Sequence, residues 1–264
     1  MEKLYWIGLL YNMKHTPRKR FGQNFLQDQA IIRRIIECIN PQKDQRIVEI
    51  GPGLAALTEP LIDEVGHIDV VELDRDIISF LEKKFTKEQI TIHSGDALKM
   101  DFSFNNDNVR VVGNLPYNIS TPIMFHLSTF ANISNMVFML QKEVVERICA
   151  RPNSSDYGRL TIMLQYKFKC RYLLDVPPES FYPAPKVDSA IVSLTPRTDY
   201  DFTKVNEEKL NKVVSTAFNQ RRKTISNSLK SMFSHEQLIN CGINLQDRPE
   251  NITIEQYIAL SNIL

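Results

Sequence analysis

The chain has 264 residues, of which 43% are hydrophobic and 24% are charged, a composition typical of a globular protein. A formal net charge of +1 excludes attraction to nucleic acid through overall charge, so any such attraction must come from local basic clusters. The length suits one large domain, or a core domain with a small appendage.

Cysteine spacing and the amino-terminal segment exclude two further classes of protein. The cysteines at positions 38, 149, 170 and 241 lack metal-ligand and redox spacing. They predict reduced thiols in a cytoplasmic protein without a metal site. Residues 4–11 are apolar but too short to span a bilayer, so we expect no membrane association. We expect Met13 to be the natural start and residues 1–12 to be an extension.

Helix and strand patterns alternate between residues 28 and 140. Asp28 is a typical helix N-cap, and isoleucines at positions 31, 32, 35, 36 and 39 predict a helix that ends before Pro41. Strands are predicted at residues 47–50, 68–72, 90–93, 109–113 and 136–140, and helices at residues 54–65, 74–85 and 121–130. This alternation is typical of an α/β protein with a parallel sheet flanked by helices.

The pattern loosens after Gln141. We predict a polar loop at residues 151–157, a helix at 158–168, and strands at 172–176 and 187–194 on either side of a proline-rich connection. The sequence becomes helical and polar after residue 200. The predicted parts are therefore an extension and basic arm at residues 1–27, an α/β domain at 28–200, and a small all-α domain at 201–264.

Three successive predicted strands end in residues suited to a nucleoside ligand. Gly51 and Gly53 follow the first strand, where glycine lets the backbone approach a ligand closely. Glu72 ends the second strand about twenty residues later, the spacing of a ribose-binding carboxylate. Asp96 follows the third and could accept a hydrogen bond from an adenine amine. The turn lacks the full G-x-G-x-x-G spacing of a dinucleotide site, which favours S-adenosylmethionine.

The fourth predicted strand leads into a motif with hydrogen-bonding and stacking groups. Asn114 offers an amide, Leu115 a main-chain carbonyl, and Pro116 a fixed φ without an N–H. Tyr117 offers a face on which a base can stack. The motif suits an exocyclic amine held beside an aromatic ring. On these four residues alone, a strand-to-helix turn with an asparagine cap and a buried tyrosine is the slightly better interpretation.

The chain closely resembles the small-subunit ribosomal RNA adenine N6,N6-dimethyltransferases, the dimethyladenosine transferase family. The similar motifs lie at residues 15–26, 49–53, 71–74, 95–97, 114–117, 181–189 and 218–223. The resemblance implies a Rossmann-like, S-adenosylmethionine-dependent methyltransferase domain followed by a small C-terminal all-α domain. The family usually has glycine at position 55, where this chain has Ala55. We expect the alanine methyl group to narrow the turn without blocking it.

The implied reaction is transfer of methyl groups to N6 of two adjacent adenosines near the 3′ end of 16S rRNA during biogenesis of the 30S subunit. The product is N6,N6-dimethyladenosine. By this resemblance the cofactor-binding residues are Gln23, Asn24, Leu26, Gly51, Gly53, Glu72, Asp96, Ala97 and Asn114. The catalytic set is Asn114, Leu115, Pro116, Tyr117 and Phe181, with the two aromatic rings on either side of the target base.

Basic residues occur in clusters that predict contacts to RNA phosphates. The predicted RNA-binding residues are Lys14, Arg18, Lys19, Arg20, Arg147, Arg221, Arg222 and Lys223. The expected partner is small-subunit rRNA within the assembling 30S subunit, and we expect a monomeric, cytoplasmic protein.

Three other interpretations remain open at this stage. One is a large-subunit rRNA adenine N6-methyltransferase that confers macrolide resistance, although those proteins commonly carry isoleucine where this chain has Leu115. Another is a mainly non-catalytic ribosome-assembly checkpoint protein. The weakest is a DNA adenine N6-methyltransferase.

Overall fold

The computed structural model describes residues 24–116 and 119–264. Its strands are β1 (Phe25–Leu26), β2 (Arg46–Ile50), β3 (Ile68–Glu72), β4 (Ile90–Ser94), β5 (Val109–Asn114), β6 (Ile133–Gln141), β7 (Phe168–Val176), β8 (Phe181–Tyr182) and β9 (Ser189–Pro196). Within the described residues, seven strands form a sheet in the order β4-β3-β2-β5-β6-β9-β7, and β1 pairs with β8.

The helices of the described residues complete an α/β fold. They are α1 (Gln29–Ile39), α2 (Thr58–Val65), α3 (Arg75–Lys84), α4 (Ser120–Leu127), α5 (Lys142–Cys149), α6 (Arg159–Gln165), α7 (Glu207–Phe218), α8 (Ile225–Ser228), α9 (His235–Asn240) and α10 (Ile254–Ile263). None of these described helices is long and apolar enough to cross a membrane.

Helix α1 confirms the prediction made from its apolar spacing. The Asp28 carboxylate accepts hydrogen bonds from the main-chain N–H groups of Ala30 and Ile31 at 2.9 and 3.2 Å, which satisfies donors that a helix N-terminus leaves unpaired. Its buried side chains are Ile31, Ile32, Ile35 and Ile39, which pack into the main hydrophobic core.

Helix α2 begins at Thr58, later than the predicted start at residue 54. Gly53 and Ala55 have φ values of 54° and 69°, in the left-handed region that a right-handed helix cannot include. The chain therefore completes a turn before the helix begins.

The sheet is mixed: the five strands that the sequence predicts as a parallel sheet are parallel, and the later strand β9 is antiparallel to its neighbour β6. In the antiparallel pair, Met139 lies opposite Ile191. The connection that leads into β9 is the proline-rich segment and not a crossover helix. Parallel pairing requires such a crossover, whereas antiparallel pairing does not.

Contacts divide the chain into two compact units that are not contiguous in sequence. Among the described residues, the first comprises those up to Val145 together with Arg171–Thr195, and the second comprises Glu146–Cys170 and Pro196–Leu264. The predicted domain at 28–200 included residues 146–170, which the structure places with the C-terminal helices. The reason lies in contacts to α7: Arg159 Nε donates to Asn211 Oδ1 at 3.0 Å, and Lys167 Nζ pairs with Glu207 at 2.8 Å.

Candidate active site

The carboxyl ends of β2, β3, β4 and β5 border a cavity of about 360 Å³ in the first unit. Parallel strands end at the same edge of a sheet, which is why residues distant in sequence meet there. The volume lies within the range of small-molecule pockets, roughly 300–1,000 Å³. The predicted site residues that line it are Asn24, Leu26, Gly51, Gly53, Glu72, Asp96, Ala97, Asn114, Leu115, Pro116 and Phe181.

The two-stranded ribbon brings the amino-terminal segment to this cavity. Leu26 in β1 is paired with Phe181 in β8, and both side chains are buried. The Gln27 main-chain N–H donates to the Ser180 carbonyl at 2.9 Å, and its side chain donates to the Phe181 carbonyl at 3.4 Å. These bonds hold one wall of the cavity in place.

The glycine turn leaves room beside the main chain. At Gly51, with φ of 69°, an added Cβ would lie 3.7 Å from the Asn114 carbonyl oxygen. At Gly53, with φ of 54°, it would lie 3.3 Å from the Phe25 ring. Larger side chains at either position would therefore be strained and would fill space at the edge of the cavity.

Ala55 lies in the glycine turn but is not part of the lining of the cavity. Its φ is 69°, and its side chain is fully buried in the hydrophobic core. Its neighbours Leu54 and Ala56 do line the cavity. The departure from glycine therefore costs backbone strain, and the alanine methyl group packs in the core. Narrowing of the turn by this methyl group stays a prediction.

Two carboxylates at the ends of β3 and β4 are held by the loops that carry them. Glu72 Oε1 accepts from the N–H groups of Leu73 and Asp74, both at 2.8 Å. Asp96 Oδ1 accepts from the Leu98 N–H at 3.0 Å. Burial raises the pKa of Glu72, and the main-chain N–H groups oppose that rise. Both residues line the cavity, where a carboxylate can accept hydrogen bonds from a ligand.

Asn114 is oriented by a hydrogen bond from its side-chain nitrogen. Nδ2 donates to the Asn24 carbonyl at 3.3 Å, so Oδ1 is the atom that the amide can present as an acceptor. The main chain after it is also held, because the Leu115 N–H donates to the Met139 carbonyl at 3.2 Å. Gly113 precedes this pair inside β5, where a Cβ would lie only 2.4 Å from the Ile50 carbonyl oxygen.

Glu49 is a cavity residue that the site prediction missed. It lies in β2, is 1% exposed, and its Oε2 accepts from the Thr58 hydroxyl at 2.6 Å. Burial raises its pKa to about 7. Glu49 belongs to the motif at residues 49–53. Because it lies within an otherwise apolar strand, the sequence did not indicate that it lines a ligand cavity. Phe25 and Leu73 also line the cavity and were also missed.

The described lining of the cavity is acidic. Its charged residues are Glu49, Glu72, Asp74 and Asp96, and no lysine, arginine or histidine is among the described residues that line it. Such a set of hydrogen-bond acceptors fits a ligand that brings positive charge and hydrogen-bond donors, and it disfavours a ligand with phosphate groups.

The remaining predicted residues are divided between the second unit and the undescribed part of the chain. Arg147, Arg221, Arg222 and Lys223 are exposed on the second unit. Arg221 is engaged there, since Nη2 donates to the Ser155 carbonyl at 2.5 Å and Nε lies 3.5 Å from Glu250. The predictions for Lys14, Arg18, Lys19, Arg20, Gln23 and Tyr117 fall outside the described residues.

Comparisons with known proteins agree on one family. Residues 14–264 match the family model described as ribosomal RNA adenine dimethylase. The chain is 51% identical over 251 residues to the ribosomal RNA small subunit methyltransferase A of Dechloromonas aromatica, covering 95% of this chain and 98% of that one.

Two solved structures share most of the architecture. A dimethyladenosine transferase from Plasmodium falciparum is similar with a TM-score of 0.76 at 26% identity, covering 89% of this chain and 95% of that one. The 23S rRNA methyltransferase ErmE is similar with a TM-score of 0.72 at 26% identity, covering 90% of this chain and 98% of that one.

Proposed function

Because the chain belongs to the ribosomal RNA adenine dimethylase family, we propose that it methylates N6 of two adjacent adenosines near the 3′ end of 16S rRNA during biogenesis of the 30S subunit. The protein is an S-adenosylmethionine-dependent rRNA adenine dimethyltransferase, with small-subunit rRNA as its substrate. We further propose where the two adenosines lie in the rRNA, at which stage of assembly they are methylated, and which residues take part.

The residues of the cavity fit S-adenosylmethionine. Glu72 would bind the ribose hydroxyls and Asp96 the adenine amine, and the open turn at Gly51 would lie beside the methionine part. An acidic cavity suits a cofactor whose sulfonium and ammonium groups are both positive. When bound, the cofactor supplies an electrophilic methyl group and leaves as a neutral thioether.

The observation that carries the proposed mechanism is the orientation of Asn114. The lone pair of adenine N6 is delocalised into the ring, so the amine is a poor nucleophile. Asn114 Oδ1 and the Leu115 carbonyl would accept its two hydrogens and favour a pyramidal nitrogen directed at the methyl group. Positioning of this kind can lower an activation barrier by roughly 7–11 kcal/mol. No strong base is required, because N6 becomes acidic once it is alkylated.

The second methylation makes a different demand on the same two acceptors. A monomethylated amine has one hydrogen left to donate, so either Asn114 or the Leu115 carbonyl must give up its partner. The cavity must also accept the added methyl group beside these residues. The site therefore has to tolerate one unpaired acceptor during the second transfer.

The target base must leave its stack, at a cost of a few kcal/mol. Stacking on aromatic side chains can return roughly 1–3 kcal/mol per base. Phe181 is 3% exposed and forms part of the cavity wall, so it can offer a ring to a base that enters the cavity and not to one on the surface. Tyr117 is proposed for the opposite side.

Phosphate contacts would hold the rRNA while its base is in the cavity. We assign these contacts to Arg147, Arg222 and Lys223 on the second unit and to the basic arm at residues 14–20. We also propose that the protein acts as a monomer in the cytoplasm, on an assembling subunit.

The decisive experiment compares substrates and reads the modified base by mass spectrometry. The purified protein should convert two adenosines of immature 30S subunits to N6,N6-dimethyladenosine and should leave protein-free large-subunit RNA unmodified. Preferential methylation of large-subunit RNA would favour the alternative suggested by the similarity to ErmE. Binding to subunits without methylation would favour a non-catalytic checkpoint role.

A further inference from the structure

Glu49 has a role in the cavity that the proposed mechanism does not use. Glu49 is one of the residues that line the cavity, and it belongs to the strand β2, between β3 and β5. The side chain is 1% exposed, so its charge is not stabilised by bulk water. A buried carboxyl group in such a place requires a partner.

The hydrogen-bond partner of the Glu49 carboxyl group is a hydroxyl group and not a cation. Thr58 Oγ1 donates to Glu49 Oε2 at 2.6 Å, and Thr58 is itself fully buried at the start of α2. Within residues 24–116 and 119–264, no lysine or arginine forms an ion pair with Glu49. The carboxylate therefore lacks a counter-ion from the described chain and could obtain one from a ligand.

The other acids of the cavity are suited to other parts of the cofactor. Glu72 and Asp96 lie at the ends of β3 and β4 and are proposed for the ribose and the adenine. Glu49 precedes the turn at Gly51, which is proposed to lie beside the amino-acid part. The positive group that belongs to this part is the α-ammonium.

We propose that the Glu49 carboxylate pairs with the α-ammonium group of the cofactor, and that Thr58 is the positioning residue that orients this carboxylate. The inference rests on the proposed function, because it assigns part of the same cofactor site. In the free protein the nearby negative charge of Glu72 and the burial of Glu49 both favour the neutral acid. Binding of the ammonium favours the carboxylate, so a proton passes from Glu49 to the buffer.

The proton release predicts how cofactor affinity depends on pH. Since the pKa of Glu49 is raised to about 7, binding below that pH must expel a proton. The dissociation constant should then increase by up to about tenfold for each pH unit below 7. Between pH 5.5 and 7 an α-amino group, with a typical pKa of about 7.7–8.0, stays mainly protonated and does not obscure this effect.

Two probes separate Glu49 from the other carboxyl groups. S-adenosylhomocysteine carries the ammonium group, whereas 5′-methylthioadenosine has the same adenine and ribose without the amino-acid part. Calorimetry in buffers of different ionisation enthalpy should show proton release with the first probe and not with the second. Equal proton release with both would show that the proton does not come from pairing with the ammonium group and would overturn the proposal.

Variants test the two residues separately. Glu49→Gln should bind S-adenosylhomocysteine about tenfold or more weakly at pH 7.5, should lose the pH dependence, and should bind 5′-methylthioadenosine as the wild type does. Thr58→Val removes a hydrogen bond to a charged group and should weaken the binding of S-adenosylhomocysteine by about tenfold. It should also move the midpoint of the pH profile upward, because that hydrogen bond lowers the pKa of Glu49. Thr58→Ser keeps the hydroxyl group and should restore both properties.

The outcomes distinguish this inference from the proposed function. Unchanged S-adenosylhomocysteine binding in Glu49→Gln, with wild-type proton release, overturns the role of Glu49 and leaves the cofactor site intact. If the wild-type protein binds neither probe, the proposed cofactor site itself is wrong.

Discussion

The side-chain nitrogen of Asn114 lies 3.3 Å from the main-chain oxygen of Asn24, and this hydrogen bond decides which end of the amide is presented as an acceptor. The two residues are far apart in the chain, one in the segment before β1 and the other at the end of β5, and both line the cavity. The orientation of the proposed acceptor for adenine N6 therefore depends on the amino-terminal segment as well as on the sheet.

Replacement of Asn114 by alanine should reduce kcat with little change in the KM for rRNA. The variant loses an acceptor that is proposed to act on the reacting nitrogen, and loss of one preorganised hydrogen-bonding group at an active site costs about 10²–10³ in kcat. Methylation of immature 30S subunits under single-turnover conditions measures the effect. Asn262→Ala, at an exposed asparagine of α10, is the matched control and should retain full activity. Wild-type kcat in Asn114→Ala would refute its catalytic assignment.

Replacement of Ala55 by glycine should relieve backbone strain. A non-glycine residue at φ of 69° costs about 1–2 kcal/mol, which offsets the loss of a buried methyl group and the greater chain entropy of glycine. The stability of Ala55→Gly should therefore be close to that of the wild type, as measured by urea unfolding. Ala56→Gly has no strain to relieve and should be destabilised by about 1 kcal/mol. An equal loss of stability in the two variants would contradict the strained conformation of Ala55.

Gly113 should tolerate no side chain. A Cβ there would lie 2.4 Å from the Ile50 carbonyl oxygen on the neighbouring strand, and neither backbone can move without breaking the sheet. We expect Gly113→Ala to lose about 1–3 kcal/mol or more of stability, or to fail to accumulate as folded protein. Gly95→Ala is the control, since its added Cβ meets nothing within 4 Å. Thermal unfolding of the two variants measures the difference, and a stable Gly113→Ala would argue against this strand register.

Glu49 should reduce the stability of the free protein as the pH rises. Its pKa is raised from 4.5 to about 7 in the folded state, so the unfolded chain loses this proton first. The contribution of Glu49 to stability is thus fully present below about pH 4.5 and is lost as the pH rises to about 7. Glu49→Gln should be more stable than the wild type at pH 8, by on the order of 1–3 kcal/mol. Equal stability of the two proteins at pH 8 would show that the carboxylate is not strained by burial.

The three basic residues at positions 221–223 should have different effects. Arg221 is held by the Ser155 carbonyl and Glu250, so Arg221→Ala should cost about 1 kcal/mol or less of stability. Arg222 and Lys223 are exposed, and replacing both by alanine should weaken rRNA binding without affecting folding. The slope of log K against log salt should decrease by roughly 1–2. An unchanged slope would remove both residues from the proposed RNA surface.

The sequence by itself determined the local structure and the chemical type of the site. Apolar spacing and the Asp28 cap were enough to locate α1, because both signals act over a few residues. The order of glycine turn, Glu72 and Asp96 indicated a nucleoside cofactor, because these residues follow strands that must end at one edge of a sheet. The family resemblance then supplied the reaction.

Only the tertiary structure decided how distant residues are paired and which polar groups are buried away from solvent. No local pattern places Leu26 opposite Phe181, or turns the amide of Asn114 toward Asn24. The raised pKa of Glu49 is likewise a consequence of its burial and of the nearby charge of Glu72, and a hydroxyl group from α2 opposes the rise. Burial and long-range hydrogen bonds depend on residues far apart in the chain, whereas periodicity and capping report only on near neighbours.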